Sequence, residues 1–176
     1  MQSQDNYRIA LLSAYALALH AFESLIPMPI PWMRIGLANI ISLTTLVLFG
    51  FRAAMMVTLI RVMVASLFTG SFLGPGFILS LGGGLSGVLA MGTVSYLSRG
   101  LFGPVGLSLV GALSHNLTQL FLAYALFIQK QEPVLIITPV LMLIGTVTGL
   151  VNGLISDLLI RNLKNSEVTV QNTKEF

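Results

Sequence analysis

Cysteine is absent from the 176-residue chain, which removes disulfides, zinc–cysteine sites, iron–sulfur clusters and thiol chemistry together. Charge is scarce: Asp, Glu, Lys and Arg make up 9% of the residues, against about 25% in an ordinary soluble domain. That is too little to cover a water-facing surface. Apolar residues reach 55% and the mean hydropathy is +0.90, so the solvent of this chain is read as a bilayer. The net charge of +3 sits mainly at chain ends and turns, which speaks of topology and not of nucleic-acid binding. Strict alternation in runs of about 10 residues, the mark of a membrane barrel, is also missing.

Continuous apolar runs predict an all-α integral membrane protein, a six-transmembrane-helix bundle with spans at about 8–26, 33–50, 52–69, 77–97, 105–128 and 134–160. Residues 1–163 form one domain and 164–176 a polar, mobile tail without periodicity. Arg8 before an apolar run, with Ala16-Leu17-Ala18 resembling a cleavage site, suggests a signal peptide. Continuation of the run to Ile26 through His20 and Glu23 favours an uncleaved first span. Pro27, Pro29 and Pro31 dictate an extended connector, and Trp32 within it suits the interfacial belt. Six basic residues, Arg8, Arg52, Arg99, Arg161, Lys164 and Lys174, lie on one side of this topology, and Arg34 and Lys130 on the other. The positive-inside rule then places both termini in the cytoplasm, in a multi-pass protein of the cell membrane.

The remaining basic residue, Arg61, lies in the middle of the apolar run Phe51–Gly70. A cation at the bilayer centre costs about 2.5–3.5 kcal/mol on insertion scales, so it calls for a partner, a wet cavity or an anionic ligand. Glu23 and Asp157 are the candidate partners, one toward each face. His20 and His115 fall at similar depth, each about 18 Å from the cytoplasmic start of its helix. His20, Glu23 and Ser24 share a helix face, and His115, Asn116 and Gln119 cluster on another. Asn39 and Ser42 add a weaker polar pair. Intramembrane polarity is thus concentrated between the midplane and the outer face, as in a pocket open to the outside. The competing reading is hydrogen bonding between helices, which Asn and Gln supply at about 0.6 kcal/mol per contact.

Gly82-Gly83-Gly84 lacks the Gly-Lys-Ser/Thr ending of a phosphate-binding loop. It is read as a place of close backbone approach, with a local break in its helix. Gly145, Gly149 and Gly153, and likewise Ala10, Ala14 and Ala18, form small-residue stripes that let helices pack closely, within the bundle or against a partner.

Several stretches together resemble the Gx transporter family, which also carries the name heptaprenyl diphosphate synthase component I. They are Glu23-Ser24-Leu25-Ile26-Pro27 with the proline connector, Arg34 to Ile40, Leu59-Ile60-Arg61-Val62, Ser80 to Gly84, Ser114 to Gln119 and the glycine stripe of the last span. In architecture the chain is similar to the substrate-binding S-components of energy-coupling factor transporters. Arg34 stands where a lysine is expected, with charge preserved. The synthase name fits the residues poorly. Prenyl transfer in the familiar soluble enzymes uses aspartate-rich clusters that hold magnesium on a diphosphate, and this chain has only Asp5 and Asp157, far apart. Neither an HExxH motif nor a nucleophile with a matched base is present, so no enzymatic activity and no cofactor are expected.

The S-component resemblance implies a bundle that binds a small solute from outside, with the connector between the first two spans as a lid. It also implies a transmembrane coupling subunit and two cytoplasmic ATPases as partners, with Ala10, Ala14 and Ala18 as the docking surface. On this reading Arg61 and His115 take the anionic part of the solute, and Asn116, Gln119 and Asn39 its hydrogen-bonding groups. Glu23 takes a cationic group or balances Arg61, and His20 completes the substrate-binding set. The alternative is a non-catalytic membrane subunit of a complex handling isoprenoids, quinones or electrons; His20 and His115 could in principle ligate one haem there, but mid-membrane histidines without other haem cues are more often hydrogen-bonded.

Overall fold

The computed structural model describes residues 2–24, 36–129 and 131–174. The proline connector, Trp32, Arg34 and Lys130 lie outside the described residues. Five α-helices follow one another: α1 (Gln2–Ser24), α2 (Ala38–Phe68), α3 (Pro75–Ser98), α4 (Pro104–Ala123), which runs into a π-helical turn at Tyr124–Ile128, and α5 (Gln131–Lys174). Among the described residues there is no strand. By length and composition α2, α3, α4 with its π turn, and α5 can each cross a membrane. The apolar part of α1, Ala10–Glu23, is shorter.

The expected spans 33–50 and 52–69 fall into one element, α2, which is why five helices stand where six were expected. Gly50, at φ 83° and ψ 178°, is not helical. Across it Ser42 Oγ and Thr58 Oγ1 meet at 2.9 Å, whereas a straight helix would hold residues of that spacing about 24 Å apart. The element therefore folds back on itself at a glycine, whose positive φ an L side chain would strain. Its first arm, residues 38–49, starts five residues later than expected. At about 18 Å of rise it is too short for a hydrocarbon layer of about 30 Å.

Small residues set the packing. Pro75 and Pro104 open α3 and α4, each after an extended glycine, because the first turn needs no proline N–H. Across α3 and α4, Ser86 Oγ donates to Ser114 O (3.3 Å) and Ser114 Oγ to Ser86 O (3.2 Å). The Gly145/Gly149/Gly153 stripe seats α5 on α4: added Cβ atoms would meet Asn116, Ala112 and Val105 in turn. A Cβ on Gly153 would lie 2.7 Å from Val105 Cα, which is backbone and has no room to give. Gly153→Ala is thus expected to destabilise the bundle by about 1–3 kcal/mol, seen as a lower thermal unfolding temperature in detergent; an unchanged temperature would mean the α4–α5 contact is looser than described.

The other ends of the helices refine the expectations. α5 continues to Lys174, so the segment expected to be a structureless tail is helical, and residues 164–174 contain no glycine or proline to interrupt it; just before them Asp157 pairs with Arg161 at 2.8 Å. The break expected at Gly82–Gly84 is absent, and α3 runs through it as regular helix. Apolar clusters fill the remaining contacts, chiefly Leu43, Leu46, Ala54, Val88, Met91 and Leu107. A second cluster, Ala16, Ile41 and Val57, fixes α1 against both arms of α2.

Candidate functional site

Buried and half-buried polar side chains from α1, α2, α3 and α4 meet in one pocket inside the bundle. It is lined by His20, Glu23, Gly36, Asn39, Arg61, Val62, Ser80 and His115. Each helix places its residues by simple periodicity. His20 and Glu23 are one turn apart near the end of α1, and Gly36 and Asn39 stand at the start of α2. Arg61 is ten residues beyond the fold of α2 at Phe51, about 15 Å of rise, and His115 lies eleven residues, about 16.5 Å, from the start of α4. The side chains are well shielded, with Glu23 3% and Arg61 4% exposed.

The triple glycine accounts for how α3 comes so near. A Cβ on Gly83 would lie 2.9 Å from His115 Cε1 and 2.8 Å from Gln119 Cγ. One on Gly84 would lie 3.1 Å from Thr58 Cγ2 and 3.4 Å from Arg61 Nη2. Successive glycines thus turn bare backbone first toward α4 and then toward the second arm of α2, letting His115 and Arg61 approach from opposite sides.

Glu23 accepts a hydrogen bond from the backbone N–H of Gly36, a partner that was not among those expected. Asp157, the other candidate for Arg61, is engaged by Arg161. Two of the expected solute contacts stand outside the pocket lining. Asn116 Nδ2 donates to Leu141 O of α5 at 3.1 Å, and Gln119 Nε2 lies 3.4 Å from Leu79 O of α3, so both amides tie helix to helix. Gly36, Val62 and Ser80 line the pocket without having been singled out as contacts. Gly36 and Ser80 each fall inside a motif noted above, close to an expected polar residue.

Free space at the centre of the pocket is about 10 Å³, room for about one water molecule. A second small cavity adjoins it, lined by Asn39, Met91, Ser108, Gly111, Ala112 and Asn152. Asn39 borders both. Among the described residues no group of three His, Asp or Glu side chains is arranged to hold a metal ion. The pocket therefore offers one carboxylate, one guanidinium, two imidazoles, an amide and a hydroxyl around a small polar volume. That is a set for recognising a hydrophilic group, with Val62 as its single apolar side chain. The stripe Ala10, Ala14, Ala18 is remote in character: all three are exposed on α1, in company with Tyr7, Tyr15 and Phe22.

Residues 12–159 match the family of heptaprenyl diphosphate synthase component I, and the chain belongs to that family. No curated protein matches it. Among solved structures it is similar to the S component of a bacterial ECF transporter, with a TM-score of 0.75, 21% sequence identity, and coverage of 94% of this chain and 98% of the other. The fold is therefore that of an ECF S component, and the chain is a multi-pass membrane protein.

Proposed function

We propose that this member of the heptaprenyl diphosphate synthase component I family is the membrane-embedded, solute-binding subunit of a transporter, and not an enzyme. The observation that carries the reading is the convergence of His20, Glu23, Asn39, Arg61 and His115 on one pocket inside an apolar bundle. Ionisable groups in hydrocarbon are costly to keep and ordinarily line a substrate path. Likeness to an S component supports the reading. The fold-back of α2 leaves both termini cytoplasmic although its first arm spans only part of the hydrocarbon, and the solute enters from the outer side.

The solute is small and hydrophilic, with an anionic group held by Arg61 and His115 and polar groups met by Asn39, Ser80 and His20. Room for one water means that the pocket walls separate as it enters. Isoprenoid chains find no apolar bed there, which separates the binding chemistry from the family's name. Energy comes from partners, a transmembrane coupling subunit and cytoplasmic ATPases, because no phosphate-binding loop is present in the sequence.

Gentle purification followed by mass spectrometry tests both halves. A retained small polar solute, with coupling subunit and ATPases co-purifying, supports the proposal; redox or prenyl-transferring partners with no retained solute would overturn it. The stripe on α1 gives a sharper check. Ala14→Trp places a large ring on the face proposed to dock the coupling subunit and is expected to reduce co-purification of that subunit at least tenfold while solute retention stays unchanged.

A further inference from the structure

We propose that Asn152 on α5 is a positioning residue of the pocket and acts through the Gly36 peptide; the inference rests on the reading of the pocket as a solute site. The first arm of α2 is too short to reach across the hydrocarbon, and its start shares a pocket with Arg61 and His115. Gly36 therefore lies within the membrane. Backbone polar groups at that depth have no bulk water to turn to and need partners from the protein.

Three elements supply them. The Gly36 N–H donates to the Glu23 carboxylate of α1. Its carbonyl accepts from Asn39 N–H at 2.8 Å and from Asn152 Nδ2 of α5 at 3.1 Å. The residue adopts φ +79°, and a Cβ there would sit 3.2 Å from Asn39 Nδ2 and 3.7 Å from Asn152 Nδ2, so the amides close in on bare backbone. One glycine thereby joins the end of α1, the start of α2 and the middle of α5.

Asn152 contributes nothing to the lining of the main pocket, yet two of that pocket's groups depend on what it holds. Glu23 is placed by its bond to Gly36, and Asn39 stands one turn on and borders the second cavity together with Asn152 and Ser108. Asn152 is 3% exposed. One turn further along α5, Ser156 Oγ donates to Ile40 O at 3.3 Å. That bond secures the arm itself, which leaves the junction at Gly36 to Asn152.

Amide hydrogen exchange of the full chain in nanodiscs tests this directly. Asn152→Ala is expected to speed exchange across Gly36–Ile40 at least tenfold with α3 and α4 unchanged, and Asn152→Ser, which keeps a shorter donor, to give a smaller rise. Glu23→Ala should act on the same amides, and the double variant should exceed the larger single variant by no more than about twofold, because both hold the same residue, one at its N–H and the other at its carbonyl. Unchanged exchange at Gly36, a uniform rise in all helices, or fully additive single effects would overturn the proposal. Mass spectrometry of the same preparations is expected to show at least tenfold less retained solute in Asn152→Ala, and wild-type retention in that variant would also overturn it. A wild-type protein that retains no solute counts against the solute reading alone, since the exchange result still judges the Gly36 link.

Discussion

Arg61→Ala is expected to lower solute retention at least about 30-fold, in a protein that still folds. The magnitude follows from removing one member of a buried charged contact, which typically costs about 2–5 kcal/mol. Folding is expected to survive because the packing of Val57, Val62 and Ala65 on the same arm stays in place. Arg61→Lys is expected to fall between the two, since an ammonium keeps the charge but loses the planar fork that grips a carboxylate or phosphate through two bonds. Mass spectrometry of retained solute, or calorimetric titration once that solute is known, reads the series. Full affinity in Arg61→Ala would remove the anchor role and leave Arg61 as a structural charge.

The second large effect lies in α3, where three adjacent glycines predict three different outcomes. A Cβ on Gly82 would come within 2.3 Å of Leu122 Cδ1, the shortest contact of the three, yet it meets the free end of a flexible side chain. Gly82→Ala is accordingly mild. Gly83→Ala drives a methyl into the His115 ring and the stem of Gln119, at 2.9 and 2.8 Å. Neither can swing clear without moving α4 or breaking the Gln119 contact to Leu79. Overpacking of this kind costs about 1–3 kcal/mol, and here it also displaces a pocket side chain, so Gly83→Ala should lose both thermal stability and solute. Gly84→Ala touches Thr58 at 3.1 Å and should weaken binding less. A stability order that followed contact distance alone, with Gly82→Ala the worst, would contradict this account.

How far these sites were legible depends on the partner each residue uses. Arg61, His20, Glu23 and His115 stood out because ionisable groups inside apolar runs are rare, and helical rise placed Arg61, His20 and His115 at similar depth with Glu23 further out. All four meet in the pocket. Asn116 looked equivalent to His115, but one residue turns a helix by about 100°, enough to aim its amide at the Leu141 carbonyl of α5. Gln119 shares the His115 face and stops a turn away, at α3. What escaped was everything that bonds to backbone. The Glu23 partner is an N–H of Gly36, and Asn152, hidden between Gly149 and Gly153, serves a carbonyl; a survey of side-chain types has no access to either. The late start of α2 was invisible for a related reason, since Ile35-Gly36-Leu37 reads as apolar helix until the positive φ of Gly36 is known. Family membership and the membrane-spanning fold, by contrast, were carried by motifs distributed over nearly the whole chain.

The fold-back of α2 also bears on biogenesis. A translocon meets residues 38–68 as one predominantly apolar segment, long enough to be threaded as a single steep helix. Threaded that way, every later helix would insert upside down, and His115 would face its pocket partners from the wrong leaflet. Gly50 supplies the turn that prevents this, and Arg52 lies exposed just beyond it, where a cation biases the side on which a hairpin tip stays. The orientation of the later helices thus depends on a turn that never touches the site.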